Sequence, residues 1–323
     1  MNRILSTIGL FFVSCIQITY QTVPLKYYDE YVNFVNTFSK VYENDLEYEK
    51  SYTNFVKSYE HVKNHSDPYF TVAVNFIADQ EVPVNKVMKD NSKKRNLWDL
   101  TYIYDMVQGP MPDEWDWTES IPIRTVDQSR CGSCWSFSAI GSLESAYFLK
   151  HGKYLNFSES QLVDCSKAYG NAGCNGGEMD FAFKYLEKYG FETESSYPYV
   201  PRDQLCSYDK SKVIGKVKSF VDVAPGVNNI KRALVTHGPL SIGIDASAWS
   251  FQLYHGGVYT NKECSNTELD HGVLLVGYGE EDGVEYWKVR NSWGNLWGMS
   301  GYFLINMEHD CGISENLASY PVL

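Results

Sequence analysis

The stretch Asp127-Gln128-Ser129-Arg130-Cys131-Gly132-Ser133-Cys134-Trp135-Ser136-Phe137-Ser138 decides how the rest of the chain is read. Its Cys131-x-x-Cys134 pair fits three chemistries. A redox dithiol needs both sulfurs in one couple inside a βαβ frame. A zinc site needs two further soft ligands at short spacing, whereas Cys165 and Cys174 have eight residues between them. A nucleophilic cysteine beside a structural one needs a base and an orienting group elsewhere in the chain. Immediately downstream, Trp135, Phe137, Ile140, Leu143 and Tyr147 give a helical body over 134–149, with Gly152 beyond its end. Cys134 then opens a helix, where unpaired N–H groups and the macrodipole favour a thiolate.

Upstream, Arg3 and the apolar run Ile4–Cys15 read as a secretory leader, too short to span a bilayer, cleaved near residues 18–22. A buried N-terminal strand is the competing reading of that run. No other apolar run reaches transmembrane length. Of eight cysteines, seven remain after the leader, all beyond residue 130, so three bridges in an oxidising compartment leave one thiol. Apolar stripes at Tyr27, Tyr31, Phe34, Val35 and Phe38, and again from Leu46 to Val62, predict two helices, and 69–77 predicts a strand. The polar run over 90–108 and Gly109-Pro110-Met111-Pro112 read as a linker or processing region. The 323 residues are 44% apolar, 15% aromatic and 21% charged, which excludes a disordered or wholly membrane-embedded chain. A net charge of −12 would repel a phosphate backbone, so no nucleic-acid partner is expected.

Further along, His271 lies 137 residues past Cys134 in Leu269-Asp270-His271-Gly272, and Asn291 follows in Arg290-Asn291-Ser292-Trp293-Gly294. Gln128 precedes Cys134 by six residues. Four motifs in this order resemble the papain-like cysteine proteases, in particular the cathepsin L-like branch, over nearly the whole chain from Tyr27 to Pro321. The chemistry asks for these residue types. His271 can hold the thiol proton as imidazolium, Asn291 can orient the ring, and Trp293 can shield that bond. The Gln128 amide and the Cys134 N–H can form an oxyanion hole.

The resemblance implies an α+β fold of two lobes, helical first and β-barrel-like second, preceded by a helical proregion. The implied organisation is a leader over 1–20, an inhibitory proregion over 21–110, a helical lobe over 111–218 with Cys134, and a β-rich lobe over 219–323 with His271 and Asn291. Helices are expected over 158–165, where Ser158-x-x-Gln161 is a capping-box start, and 178–189. Strands are expected over 220–224, 240–245, 271–277, 286–290 and 302–306. It further implies bridges Cys131–Cys174, Cys165–Cys206 and Cys264–Cys311, where sequence alone allows 15 pairings. Gly176 and Gly177 would pair with an extended peptide, with a plain glycine turn as the competing reading. Met179, Gly243, Leu269, Asp270 and Asn316 would bind substrate, most of them in a pocket for the residue two before the scissile bond. That pocket would be apolar and roomy, with Asn316 at its floor admitting polar or basic groups.

The front segment departs from the family pattern. Glu47, Ser51, Phe55, Ser58, Val62 and Ser66 stand where the proregion motif has Glu, Arg, Phe, Asn, Ile and Asn, and Ala73, Asn75, Ile77 and Asp79 stand at the next motif. A permanently attached helical domain is the competing reading of that segment. Acceptor motifs for N-glycosylation occur at Asn64 and Asn156. The expected product is a monomeric endopeptidase zymogen of the secretory pathway, lysosomal or extracellular, needing no metal or cofactor. Its partners would be peptide and protein substrates and its own proregion. An inert relative that keeps the fold and a secreted thiol oxidoreductase are the rival functions.

Overall fold

A computed structural model of the chain describes residues 26–81, 109–316 and 318–323. The expected leader and most of the expected linker lie outside the described residues. The chain divides into two compact units, Met1–Lys40 and Val41–Leu323. In the first, helix α1 (Tyr28–Thr37) follows the 3.6-residue stripe, with Tyr31, Phe34 and Phe38 in ring contact along one face.

The second unit opens with α2 (Asp45–Asn64), capped by the Asn44 side chain on the Glu47 N–H, while Glu47 accepts the Glu43 N–H. A short strand β1 (Phe70–Val72) follows. The strand expected over 69–77 is therefore cut short. Its register slips between Thr71 and Val72, and Asn75 then accepts the Ile77 N–H to start a turn.

The remainder builds two hydrophobic cores. One is helical: α3 (Cys134–His151), α4 (Glu159–Cys165) and α5 (Met179–Tyr189) bury Trp135, Ile140, Leu143, Leu162, Phe183 and Leu186 together. Ser158 caps α4 by accepting the Gln161 N–H, but the reciprocal half of the expected capping box is missing. The Gln161 side chain instead reaches Tyr185, Gly190 and Glu192.

The other core forms on the sheet of β2 (Trp115–Asp116), β3 (Ser219–Val223), β4 (Leu240–Ile244), β5 (Tyr254–Tyr259), β6 (His271–Glu281), β7 (Val284–Arg290), β8 (Tyr302–Asn306) and β9 (Ala318–Val322). The strands run in the order β1-β5-β8-β7-β6-β4-β9-β3, with β2 on β6. Helix α6 (Val227–His237) and the single-turn α7 (Trp249–Gln252) complete it.

Helix α3 joins the cores. Every residue from Cys134 to Ser145 is buried, so this part of the helix has no solvent face to keep polar. Its serines supply hydrogen bonds that an apolar helix could not. Ser138 Oγ donates to the Val273 carbonyl on β6 and Ser142 Oγ to that of Pro239, while Ser241 on β4 donates to the Ser138 carbonyl. Buried Arg290, at the end of β7, crosses beneath and donates to the Phe137 and Arg124 carbonyls. Gly141 is where its guanidinium passes. A Cβ there would collide with Arg290 Nη2 and lie 2.9 Å from a Leu274 methyl carbon. Gly141→Ala should therefore destabilise the fold by about 2–4 kcal/mol, because it displaces a buried cation that cannot easily find new partners. Chemical denaturation reads this directly; an unchanged midpoint would contradict the tight crossing.

Behind α3, Arg124 bridges Glu144 at 3.0 Å and Glu159 at 2.5 Å. Neither Glu159 Oε2 nor Glu194 Oε2 finds a donor among the described residues. Burial raises the pKa of both carboxyl groups, and the charge of Glu144 raises them further, with Arg124 opposing the rise. One shared proton accounts for both orphaned oxygens. Because folding raises these pKa values, their stabilising effect is complete in acid, below about pH 4.3, and is lost as pH climbs through the folded value. The melting temperature should accordingly fall as pH rises from about 6.5 to 8. Glu159→Gln, which carries its hydrogens at every pH, should flatten that slope; an unaltered slope would sink the shared-proton account.

Candidate active site

Cys134 is the first residue of α3 and the one free cysteine among the described residues. Cys131 is bonded to Cys174, Cys165 to Cys206 and Cys264 to Cys311. A Cys131–Cys134 redox couple and a four-sulfur zinc site both need thiols that are committed elsewhere. The first bridge also ties the loop before α3 to the Gly176-Gly177 turn, where Gly132 N–H donates to the Cys174 carbonyl.

The N-cap of α3 is Ser133, but its hydroxyl makes no cap bond. The N–H groups of Cys134, Trp135 and Gly272 instead favour the thiolate form of Cys134. Gly272 on β6 makes this approach possible. A Cβ on it would stand 3.1 Å from Trp135 Cα and 3.2 Å from Trp135 N, so a larger residue would push the helix end off the strand by a few tenths of an ångström. The preceding residue is His271, one step along β6 from the N–H that holds the sulfur.

His271 Nε2 lies 2.7 Å from Asn291 Oδ1. An amide oxygen only accepts, so Nε2 carries hydrogen and Nδ1 is the open base of the neutral ring. The Ser292 N–H fixes the same Oδ1 at 2.7 Å. Ser292 Oγ donates to Gln128 Oε1 at 2.5 Å, and its carbonyl accepts the Gln128 N–H. Gln128 Nε2 donates to the Cys131 carbonyl and keeps a second hydrogen. Trp293 lays its indole 5.0 Å from the imidazole, tilted by 31°. Cys134, His271, Asn291, Gln128 and Trp293 are all buried.

Burial sets the charge state. It pushes the Cys134 thiol up to about 12, against the three backbone N–H groups, and Asp270 adds to the rise. It lowers His271 to about 4, against the Asn291 bond. Both shifts oppose the charged forms, so burial works against the thiolate–imidazolium pair that the backbone N–H groups and the Asn291 bond favour. Asp270, whose Oδ1 accepts the Ala246 N–H, is itself raised to about 6 by burial.

The remaining predicted residues gather beside this centre. Gly243 pairs with Gly272 across β4 and β6, and a Cβ on Gly243 would meet Leu269 at 3.1 Å. The Met179 sulfur would lie 3.3 Å from a Cβ on Gly272. Asn316 Nδ2 donates to the Asn266 and Gly312 carbonyls, both at 2.7 Å. Gly176, at φ +112°, has its carbonyl taken by the Ala172 N–H, and Gly177 packs where a Cβ would strike Asn171 and the Trp135 ring. Sequence reasoning missed Ser292, Gly272, Arg290 and Tyr199; the signal for the first three lay in residues adjoining His271 and Asn291.

The front segment docks on the same side. β1 pairs antiparallel with β5, and Phe70 meets Tyr259 edge-on at 4.9 Å. Gln252 Nε2 donates to the Ile77 and Gln80 carbonyls, while its own carbonyl accepts from Asn75. A cavity of about 200 Å³ is lined by Phe76, Ile77 and Gln80 together with Asp127, Arg130 and Trp293. Ser58, standing where the family has Asn, still cross-links, its hydroxyl donating to the Ala78 carbonyl at 2.5 Å.

The description "Papain family cysteine protease" matches residues 111–322. A Cathepsin L-like protein of Caenorhabditis elegans is 49% identical over 66% of this chain and 65% of its own length, so the match spans a little under two thirds of that relative. Digestive cysteine proteinase 3 of Homarus americanus is 43% identical over 78% of this chain and 79% of its own length. The structure of digestive procathepsin L 3 from Tenebrio molitor larval midgut superposes with a TM-score of 0.82 at 34% identity, covering 91% of this chain and 98% of that one. With the two-lobed α+β architecture and a preceding helical segment, the chain belongs to the papain family of cysteine proteases.

Proposed function

We propose that this chain is the precursor of a cysteine endopeptidase in which Cys134 and His271 hydrolyse peptide bonds through an acyl-enzyme. The observation that carries the reading is a free cysteine at an uncapped helix N-terminus that packs against Gly272 of β6, the residue after an imidazole held through Nε2 by an asparagine. Once the cleft is open to water, desolvation is relieved and the Cys134 proton passes to His271 Nδ1. The thiolate attacks the scissile carbonyl, forming a C–S bond and an oxyanion. Gln128 Nε2–H and the Cys134 N–H stabilise that oxyanion. As the C–N bond breaks, His271 gives its proton to the leaving amine. The neutral ring then takes a proton from water, whose oxygen displaces the thiolate and releases the acid.

The segment before residue 111 acts as the inhibitor in this reading. Its support is the β1–β5 pairing and the Gln252 contacts, which bring it to the Trp293 side of the centre. Acid favours its departure. Buried His271 binds a proton less readily than exposed histidine, so the form that buries it loses stability as pH falls from about 6.5 to about 4. Digestive and cathepsin L-like relatives favour a lysosomal or secreted product acting on proteins. Asn64 and Asn156 are exposed and suited to glycosylation.

Met179 and Leu269, the latter lying against Gly243, favour an apolar residue two before the scissile bond, with Gly177 as the edge that pairs with the peptide. Both Asn316 Nδ2 hydrogens are engaged, which leaves its Oδ1 as an acceptor for a basic residue at the pocket floor.

Two measurements test this. Iodoacetamide should label Cys134 of the intact precursor slowly below pH 9 and that of the acid-processed protein rapidly near pH 5, with loss of peptide hydrolysis; Cys134→Ser should lower turnover by more than about 10³-fold. Labelling without any activity to lose would leave an inert member of the family. In a peptide library, Leu, Phe or Val two before the cut should dominate, with Lys or Arg accepted; fastest cleavage after acidic residues would overturn the pocket assignment.

A further inference from the structure

Tyr199 lies 65 residues after Cys134, in a loop with no motif chemistry of its own, yet its hydroxyl sits between both halves of the centre. It lies 2.9 Å from the Gln128 carbonyl and 2.7 Å from Ser133 Oγ. A carbonyl can only accept, so the phenolic proton belongs to Gln128, and Ser133 must donate to the phenol. The ring is fixed edge-on against Phe137 at 4.8 Å, and the Tyr199 N–H donates to Glu194 at 2.7 Å. The position is thus anchored by α3 on one side and by the shared-proton carboxyl pair on the other.

Ser133 explains why this matters. Serine at an N-cap ordinarily accepts from the N–H two or three residues on. Here the hydroxyl is buried, turned to Tyr199, and makes no cap bond. The Ser136 and Phe137 N–H groups are already taken by the Ser133 carbonyl. The Trp135 N–H is the one such donor left to it, an amide of the uncapped first turn of α3 that favours a thiolate at Cys134.

We infer that Tyr199 is a positioning residue for the proposed hydrolysis: its hydroxyl turns the Ser133 side chain away from the Trp135 N–H, so that this amide serves the Cys134 sulfur, and tethers the Gln128 backbone at the oxyanion site. Without the phenol oxygen, buried Ser133 Oγ loses its acceptor and rotates to cap the helix. The sulfur then loses one of its three amide donors, and thiolate formation becomes harder.

The inference rests on the cysteine-endopeptidase reading, and acid-processed wild-type enzyme made from the full chain separates the two. If wild type hydrolyses no peptide, that reading fails first. With active wild type, Tyr199→Phe should lower kcat by about 5–10-fold with KM within about twofold, and should move the acid limb of both kcat/KM and iodoacetamide labelling upward by about half a pH unit. The double variant Tyr199→Phe/Ser133→Ala has no hydroxyl to compete for the amide and should return the acid limb to its wild-type position. General loosening of the loop would not be reversed by removing a second side chain. An acid limb unmoved in Tyr199→Phe, or moved and not restored in the double variant, overturns the inference.

Discussion

The close approach of α3 to β6 at Gly272 governs this structure. A helix end and a strand start can touch only where one of them lacks a side chain, and the contact brings a sulfur, three N–H groups and an imidazole into one small volume. The serine bonds from α3 to β4 and β6, and the Arg290 crossing under Gly141, hold that approach at a fixed distance. The same helix therefore belongs to both hydrophobic cores and presents the nucleophile at their junction. Reacting groups drawn from opposite sides of such a junction need rigid backing, since a displacement of about 1 Å costs around a hundredfold in rate.

The chemistry of the centre is set by competition between amide donors and desolvation. Three N–H groups favour a thiolate, while burial pushes the thiol up and the imidazole down against them. A donor set can therefore be built into the fold in advance and stay silent until water enters. The hydrogen bonds among Gln128, Ser292 and Asn291 follow the same logic: they fix the oxyanion donor and the histidine orienter relative to one another through a single intervening residue.

Much of this was legible in the sequence because the helix stripe, the Cys131-to-Trp135 run and the His271 and Asn291 motifs are local patterns. The helices over 134–151 and 179–189 and the strands at 271 and 302 follow directly from periodicity. Strand β5 and helix α6 were not anticipated. Tyr254–Tyr259 contains two glycines and an exposed histidine, and it becomes a strand only through pairing with distant β1 and β8. Helix α6 does carry a stripe at Ile230, Ala233 and Leu234, passed over among strand signals. Tyr199 was invisible for a different reason: its partners are a backbone carbonyl and an N-cap hydroxyl some 70 residues away, and no spacing rule encodes such a contact.

The degenerate front segment shows how a motif can erode while its contact survives. Ser58 is shorter than the Asn it replaces, yet it lies on the buried face of α2 and still reaches the Ala78 carbonyl, because the turn begun by Asn75 brings that carbonyl to the helix. Asn54, one helical turn earlier, adds a bond to the Asp79 carbonyl at 3.4 Å. The energetic demand is that a buried carbonyl be satisfied, and any donor of suitable reach meets it. Adhesion of the segment to the catalytic half depends instead on main-chain pairing at β5 and on Gln252, neither of which constrains side-chain identity in the front segment beyond Asn75. Loss of Arg and Asn from the helical motif thus bears on how firmly α2 folds onto its own turn, more than on where the segment docks.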